Sequence, residues 1–312
     1  MKGALVTGCA GFIGSHLSER LLEMGREVVG VDCFDGFYPR RVKEENISGC
    51  LGHPGFRFLE ADLCRADMDE VLEGVEVIFH QAAQPGVRSS WGEQFDRYVR
   101  NNVLATQRLL EAAARRGVGR FIFASSSSVY GDCPRLPADE GALPGPISPY
   151  GVTKLAAEHL CMLYARSHGV PVVALRYFTV YGPRQRPDMA FSRFIRAIRA
   201  GREVVIYGDG RQTRDFTYVD DVVEANILSM ERGPSGEVFN IGGGSRISLL
   251  EAVEIMGGMM GATPAVRHEE GQRGDARDTW ADISRARRRL GYRPTTTIEQ
   301  GLRKMVAAFR AG

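Results

Sequence analysis

Residues 4–14 read ALVTGCAGFIG, an apolar strand run that passes through glycines 8, 11 and 14 into a helical pattern. Glycine lets the chain turn tightly after a strand, lets backbone approach a pyrophosphate, and lets helix and strand pack closely. The helix N-terminus then offers unpaired N–H groups and a favourable dipole to the phosphates. Three glycines alone would also fit an ordinary strand-to-helix turn. Asp32, which ends the next apolar run EVVGVD, narrows the choice. A carboxylate at that distance accepts from ribose hydroxyls and repels a 2′-phosphate. The expected cofactor is therefore NAD, with Gly8, Gly11, Phe12, Ile13 and Gly14 at its phosphates and Asp32 at its ribose.

Further apolar runs lie at 56–62, 75–80, 120–126 and 171–178, several of them unbroken as parallel strands buried on both faces require. Helical patterns at 12–25, 67–74, 94–116 and 150–168 alternate with them. This order predicts right-handed crossovers and an α/β fold, a doubly wound parallel sheet of the Rossmann type. Asp62 and Leu63, after the third run, are candidates to bracket the adenine. Gln81, Ala82 and Ala83, after the fourth, are candidates for the cofactor's ribose side. After Phe178 the pattern changes to a loop with Pro183 and Pro187, a helix near 190–200 and the short strand VVIYG. RDFTYVDD leads into another helix, EVFNIGGG reads as a strand, and helical segments follow near 248–260 and 298–310. No long linker separates the two halves. The expectation is a cofactor domain of 1–178 and 214–246, with a smaller substrate lobe of 179–213 and 247–312 threaded through it.

Of the 312 residues, 44% are hydrophobic and 25% charged, ordinary for a globular protein, and the net charge of +2 gives no electrostatic case for nucleic acid or membrane partners. No run approaches the roughly 18 apolar residues of a membrane span. The start, MKGALVTG, runs directly into a strand and leaves no room for a signal peptide. The cysteines at 9, 33, 50, 64, 133 and 161 have no paired spacing, which points to reduced thiols in a cytoplasmic protein. The dispersed histidines predict no metal site, and His80 and His159 read as packed or partly buried.

In residues 147–158, ISPYGVTKLAAE, a tyrosine and a lysine stand four apart. On a helix Tyr150 and Lys154 share one face, a turn apart. An ammonium there lowers the cost of a phenolate, so Tyr150 can exchange a proton with a substrate hydroxyl near neutral pH. The pair would also suit a plain surface helix, with a tyrosine beside a snorkelling lysine. The glycine fingerprint and the serine run 125–128 set it apart.

The combination of GCAGFIG, Asp32, ASSSSVYG and SPYGVTK resembles the extended short-chain dehydrogenase/reductase family of nucleotide-sugar enzymes, over nearly the whole chain. That resemblance implies a Rossmann domain joined to a small sugar-nucleotide lobe. It implies Tyr150 as catalytic base, Lys154 as the group that holds the nicotinamide ribose and tunes Tyr150, and Ser126 as the third member, with Ser127 as the fallback. Asn101 and Phe178 match further cofactor-side positions. Arg214 matches the family's pyrophosphate-binding arginine, and Gln272 and Asp275 match its ribose-side loop. A UDP-sugar substrate and a homodimer through two helices, for which 94–116 and 150–168 are candidates, are implied as well.

Dehydratases of this family carry an Asp-Glu pair after the catalytic residue, and the glucuronate decarboxylases carry a glutamate there. Here Ser127 and Ser128 occupy the segment, so elimination lacks its proton donor. Epimerisation needs only reversible hydride and proton transfer at one carbon. Residues 176–191, RYFTVYGPRQRPDMAF, and 31–47, VDCFDGFYPRRVKEENI, resemble segments of the acid-sugar 4-epimerases. Thr179 stands where hexose epimerases typically carry asparagine. The implied substrate is UDP-glucuronate, interconverted with UDP-galacturonate. Thr179 and Arg186 are the expected holders of its C6 carboxylate, with Arg88 and Arg184 as alternatives. The runners-up are a 4-epimerase of UDP-glucose or UDP-N-acetylglucosamine and a UDP-glucuronate decarboxylase.

Overall fold

The computed structural model describes residues 3–311. Twelve strands occur among them: β1 (Gly3–Thr7), β2 (Val28–Asp32), β3 (Phe56–Glu60), β4 (Val75–His80), β5 (Arg120–Ser126), β6 (Val172–Tyr177), β7 (Thr179–Tyr181), β8 (Val204–Tyr207), β9 (Thr213–Tyr218), β10 (Glu237–Ile241), β11 (Arg246–Ser248) and β12 (Val266–Glu269). Seven of them form the central sheet in the order β10-β6-β5-β4-β1-β2-β3, and every pairing is parallel. The chain winds outward from β1 in one direction, then returns to β4 and winds in the other. The crevice where that order reverses, between β1 and β4 at their C-terminal ends, is the ligand site of such sheets.

Two apolar clusters cover the two faces. The helices Phe12–Glu23 and Val219–Arg232 supply Leu17, Leu21, Val222 and Val223 to one, while Ala105–Arg116 and Pro149–His168 supply Leu109, Leu110, Ala157 and Cys161 to the other. β7 follows β6 after a single residue and joins a small sheet of order β11-β9-β7, while β12 pairs with β8. The segment Thr213–Tyr218 thus hydrogen-bonds within the small sheet, although its following helix packs on the large one. No described helix is long and apolar enough to cross a membrane.

Two elements differ from expectation. The helix over 94–116 is not continuous: Phe95–Tyr98 leads into a π-helical stretch, Val99–Leu104, before Ala105–Arg116 resumes as α-helix. Side chains inside the stretch hold it open. Asn102 accepts from the Gln84 N–H (2.6 Å) and donates to the Gln84 carbonyl (3.1 Å) and to Thr153 Oγ1 (3.0 Å), a clamp that regular α-helical spacing would disrupt. The second difference is a helix, Arg40–Leu51, in a segment that had been read only for its family likeness.

Candidate active site

The first turn builds a cradle that only glycine permits. Gly8 has φ +69°, and a Cβ there would lie 2.9 Å from the backbone of Ala82 on the neighbouring β4 loop. A Cβ on Gly14 would collide with the Gly8 carbonyl oxygen. The helix Phe12–Glu23 can therefore start directly behind the turn, and Gly8, Gly11, Phe12, Ile13 and Gly14 all line one deep cleft. These residues fit a dinucleotide's pyrophosphate on shape and on the free N–H groups of a helix start.

Asp32 lies on the same cleft, nearly buried, and accepts from the N–H groups of Ala10 (3.3 Å) and Phe34 (2.8 Å). Its carboxylate also takes the Lys43 ammonium at 3.1 Å. Sequence reasoning missed Lys43. The signal was present, because Lys43, Asn46, Ile47 and Cys50 share the buried face of the helix Arg40–Leu51, but two of the four are polar. Asp62, Leu63, Gln81, Ala82, Ala83 and Asn101 line the cleft as expected, and Asp62 is paired with Arg100. Asp35, Phe37 and Tyr38 join them from the loop after β2. Asp35 pairs with Arg97 and accepts from Asn101 at 3.4 Å, so the loop is tied to the π-helical stretch.

The helix Pro149–His168 brings Tyr150 and Lys154 to the cleft wall. Ser148 caps it, its Oγ accepting from Gly151 N at 3.1 Å, with Pro149 in the first turn. Burial raises the Tyr150 pKa, against which a hydrogen bond from Ser126 and the positive charge of Arg186 act to lower it. The edge of Tyr98 meets the Tyr150 ring at 6.3 Å between centroids. Burial lowers Lys154 to about 8, and its Nζ sits 4.5 Å above the Phe123 ring. Lys154 is thus mostly an ammonium at neutral pH while remaining close to its titration range. His80, also buried, is driven down to about 3 and stays neutral. It bridges Thr7 Oγ1 (2.7 Å) and Thr106 Oγ1 (2.9 Å) as part of the packed interior.

The expected substrate residues fall into two groups. Arg186 lines the cofactor cleft, its Nε and Nη2 held by Asp188 at 3.1 and 2.9 Å. Ser127 and Ser128 form a short 3-10 turn after β5, fixed by Ser126 Oγ accepting from Ser128 N, and Thr179 opens β7. Farther out, Arg88 binds Asp275 (2.6 Å) and lies 4.2 Å over the Tyr207 ring. Arg214 donates to the carbonyls of Thr213 and Arg277 and has its pKa lowered by burial, with the Asp275 charge opposing. Gln272 lies exposed in the loop beside them, its amide 3.4 Å from the Glu270 carbonyl. Arg184, by contrast, is turned to Glu19 through two hydrogen bonds of 2.9 and 2.7 Å. Phe178, expected on the cofactor side, is buried against Tyr130 and is not among the residues that line the cleft.

A Rossmann sheet with a glycine cradle, a buried carboxylate ending its second strand, and a tyrosine and a lysine on the wall of one cleft is the arrangement of a dinucleotide-dependent enzyme that oxidises and reduces a hydroxyl carbon. The chain belongs to the NAD dependent epimerase/dehydratase family, whose sequence profile matches residues 4–242. A Bacillus subtilis protein described as an uncharacterized UDP-glucose epimerase, YtcB, is 46% identical over 97% of this chain and 96% of its own. The UDP-glucuronate 4-epimerase of Thermodesulfobacterium geofontis is 37% identical over 97% of this chain and 94% of its own. Among solved structures, the UDP-glucuronic acid 4-epimerase of Bacillus cereus in complex with UDP-glucuronic acid and NAD superposes with a TM-score of 0.96, at 43% identity and 99% coverage of both chains.

Proposed function

We propose that this protein interconverts UDP-glucuronate and UDP-galacturonate by inverting C4 through a 4-keto sugar. The observation that carries the reading is the joint presence, on one cleft, of Tyr150, Lys154 and the Arg186 guanidinium. Ser127 and Ser128 stand where an eliminating enzyme would need an acid. Likeness to the Bacillus cereus and Thermodesulfobacterium enzymes supports the same choice.

When bound, NAD supplies the hydride acceptor and then the hydride donor. Gly8 to Gly14 would hold its phosphates, Asp32 and Lys43 the adenosine ribose, and Lys154 the second ribose. Tyr150 would take the C4 hydroxyl proton and, after the 4-keto sugar has turned its other face and been reduced there, return it to the C4 oxygen, while Ser126 hydrogen-bonds that oxygen and keeps it in line. Lys154 makes the transient phenolate affordable by its charge. Arg186, Thr179, Ser127 and Ser128 receive the C6 carboxylate. Arg88, Arg214, Gln272 and Asp275, outside the cofactor cleft, receive the nucleotide. In this reading the large sheet and its helices form the cofactor part, and the small sheets with the C-terminal helices form the sugar-nucleotide lobe. The partner is a second copy of the chain: Phe95, Val99 and Leu104 on one helical segment and Val152 and Leu163 on the other remain exposed.

The test is incubation of the purified protein with UDP-glucuronate, no NAD added, followed by separation of the sugars. UDP-galacturonate without CO2 is expected. Release of UDP-xylose, or no conversion here with turnover of UDP-glucose in a parallel incubation, would overturn the assignment.

A further inference from the structure

Glu158 follows Lys154 by one turn on the same helix face and is likewise buried. Its carboxylate accepts from Ser125 Oγ at 2.6 Å and from both Nε (3.0 Å) and Nη2 (2.6 Å) of Arg176 on β6. The buried Arg176 gives Nη1 to the Tyr130 hydroxyl at 2.7 Å, and that hydroxyl donates to Asn240 Oδ1 at 2.7 Å. A desolvated ion pair contributes little net stability over an apolar pair of the same volume. Its place here suggests another task. Every strong donor around the Glu158 carboxylate comes from Arg176 or Ser125, so Lys154 is not drawn into a closed pair with it and instead rests over Phe123.

Lys154 is faced by Tyr150, Glu158 and Cys161 from its own helix, by the Phe123 ring from β5 and by neutral His80 from β4, with Arg176 beyond Glu158 on β6. Among these, Glu158 is the one anion and Arg176 the one other cation. We propose that Glu158 and Arg176 are a positioning pair that sets the charge of Lys154, and through it the readiness of Tyr150 to take a proton. Glu158, the nearer member, favours the ammonium. Arg176 holds that carboxylate in place and moderates its field. Burial is the largest influence on Lys154 and lowers it, and Glu158, behind Cys161, acts to raise it.

The sequence makes a direct test practical, because it contains only four lysines, at 2, 43, 154 and 304. With lysine labelled by 13C at the ε carbon, NMR follows each titration, and Lys154→Met identifies the signal. In Glu158→Gln the Lys154 midpoint should fall by about one pH unit, and in Arg176→Met it should rise by a similar amount. The alkaline limb of the epimerisation profile should move the same way in each. Should one single variant fail to fold, the other carries the test, and the double variant, which removes both buried charges, should bring the midpoint back close to the wild-type value. An unmoved midpoint in a single variant, shifts of one sign in both, or a double variant displaced by a full unit would overturn the proposal. The activity arm rests on the epimerase reading. Midpoints that shift as expected in a protein that does not turn over UDP-glucuronate would overturn that reading and leave this one standing.

Discussion

Arg186 is a guanidinium with one edge already committed. Asp188 occupies its Nε and Nη2, and the Phe37 ring lies 5.8 Å away, so a substrate carboxylate would have to come to Nη1. That is a charge-assisted bond on a side chain whose rotamer is fixed in advance. A 4-keto sugar with a carboxylate at C6 is a β-keto acid, which loses CO2 readily when the bond to the carboxylate stands perpendicular to the carbonyl plane. Arg186→Ala should lower kcat/KM for UDP-glucuronate by about 10²-fold, from a charged hydrogen bond of roughly 2–3 kcal/mol. It should also begin releasing CO2. Normal turnover in a coupled chromatographic assay would remove Arg186 from the site. Tyr150, Lys154 and Asp32 were legible at this scale because each stands at a fixed step from an element boundary. Lys43 and Asp35 were not, since their roles come from a loop and a helix folding back on the end of β2.

At the scale of elements, β4 and β5 match their expected runs residue for residue, because each has an unbroken apolar, buried centre, residues 77–79 and 121–124. β7, β11 and β12 have only three or four residues with mixed faces, and such short edge strands leave no period to read. The π-helical stretch was equally hidden, since its cause is a clamp to Gln84 and Thr153 across the fold. β9 carries a consequence for pH. Asp215, fully buried on it, accepts from Gly243 N (2.6 Å) and Ala281 N (3.1 Å) but sits in low dielectric, and burial pushes it to about 6. Its folded value therefore lies above its unfolded one, and the folded state holds the extra proton between about pH 4 and pH 6. The contribution of this group to stability falls as pH rises through that window, by roughly 3 kcal/mol for about two pH units. Urea unfolding of the wild type and Asp215→Asn across that window should show the difference between them changing by that amount. A constant difference would mean that Asp215 titrates normally.

On the scale of the whole molecule, the exposed apolar residues of two helical segments need a cover. A monomer of 34.3 kDa should run in solution at about twice that mass, and Leu104→Glu combined with Val152→Glu should return it to single-chain mass while NAD stays bound. Light scattering checks both, and a wild type of single-chain mass at all concentrations would leave the two helices without that partner. The change of pattern after Phe178 coincides with the point where β7 leaves the large sheet for a small one. How the segments are stitched was not legible in the sequence, because Ala138 gives its N–H to the Trp280 carbonyl and its own carbonyl accepts from the Asp282 N–H, each at 2.8 Å. Contacts of such sequence separation leave no trace in local composition.

The bond between Asp32 and Lys43 has an effect on how the cofactor is kept. An isolated carboxylate at the rim of a cleft would hold a shell of water, and an arriving ribose would have to strip it. Here the folded chain has already dehydrated and oriented that group, so the hydroxyls meet a preformed acceptor and little is lost on arrival. For the ribose contact proposed at Asp32, slow escape of a resident dinucleotide across many turnovers is the expected outcome.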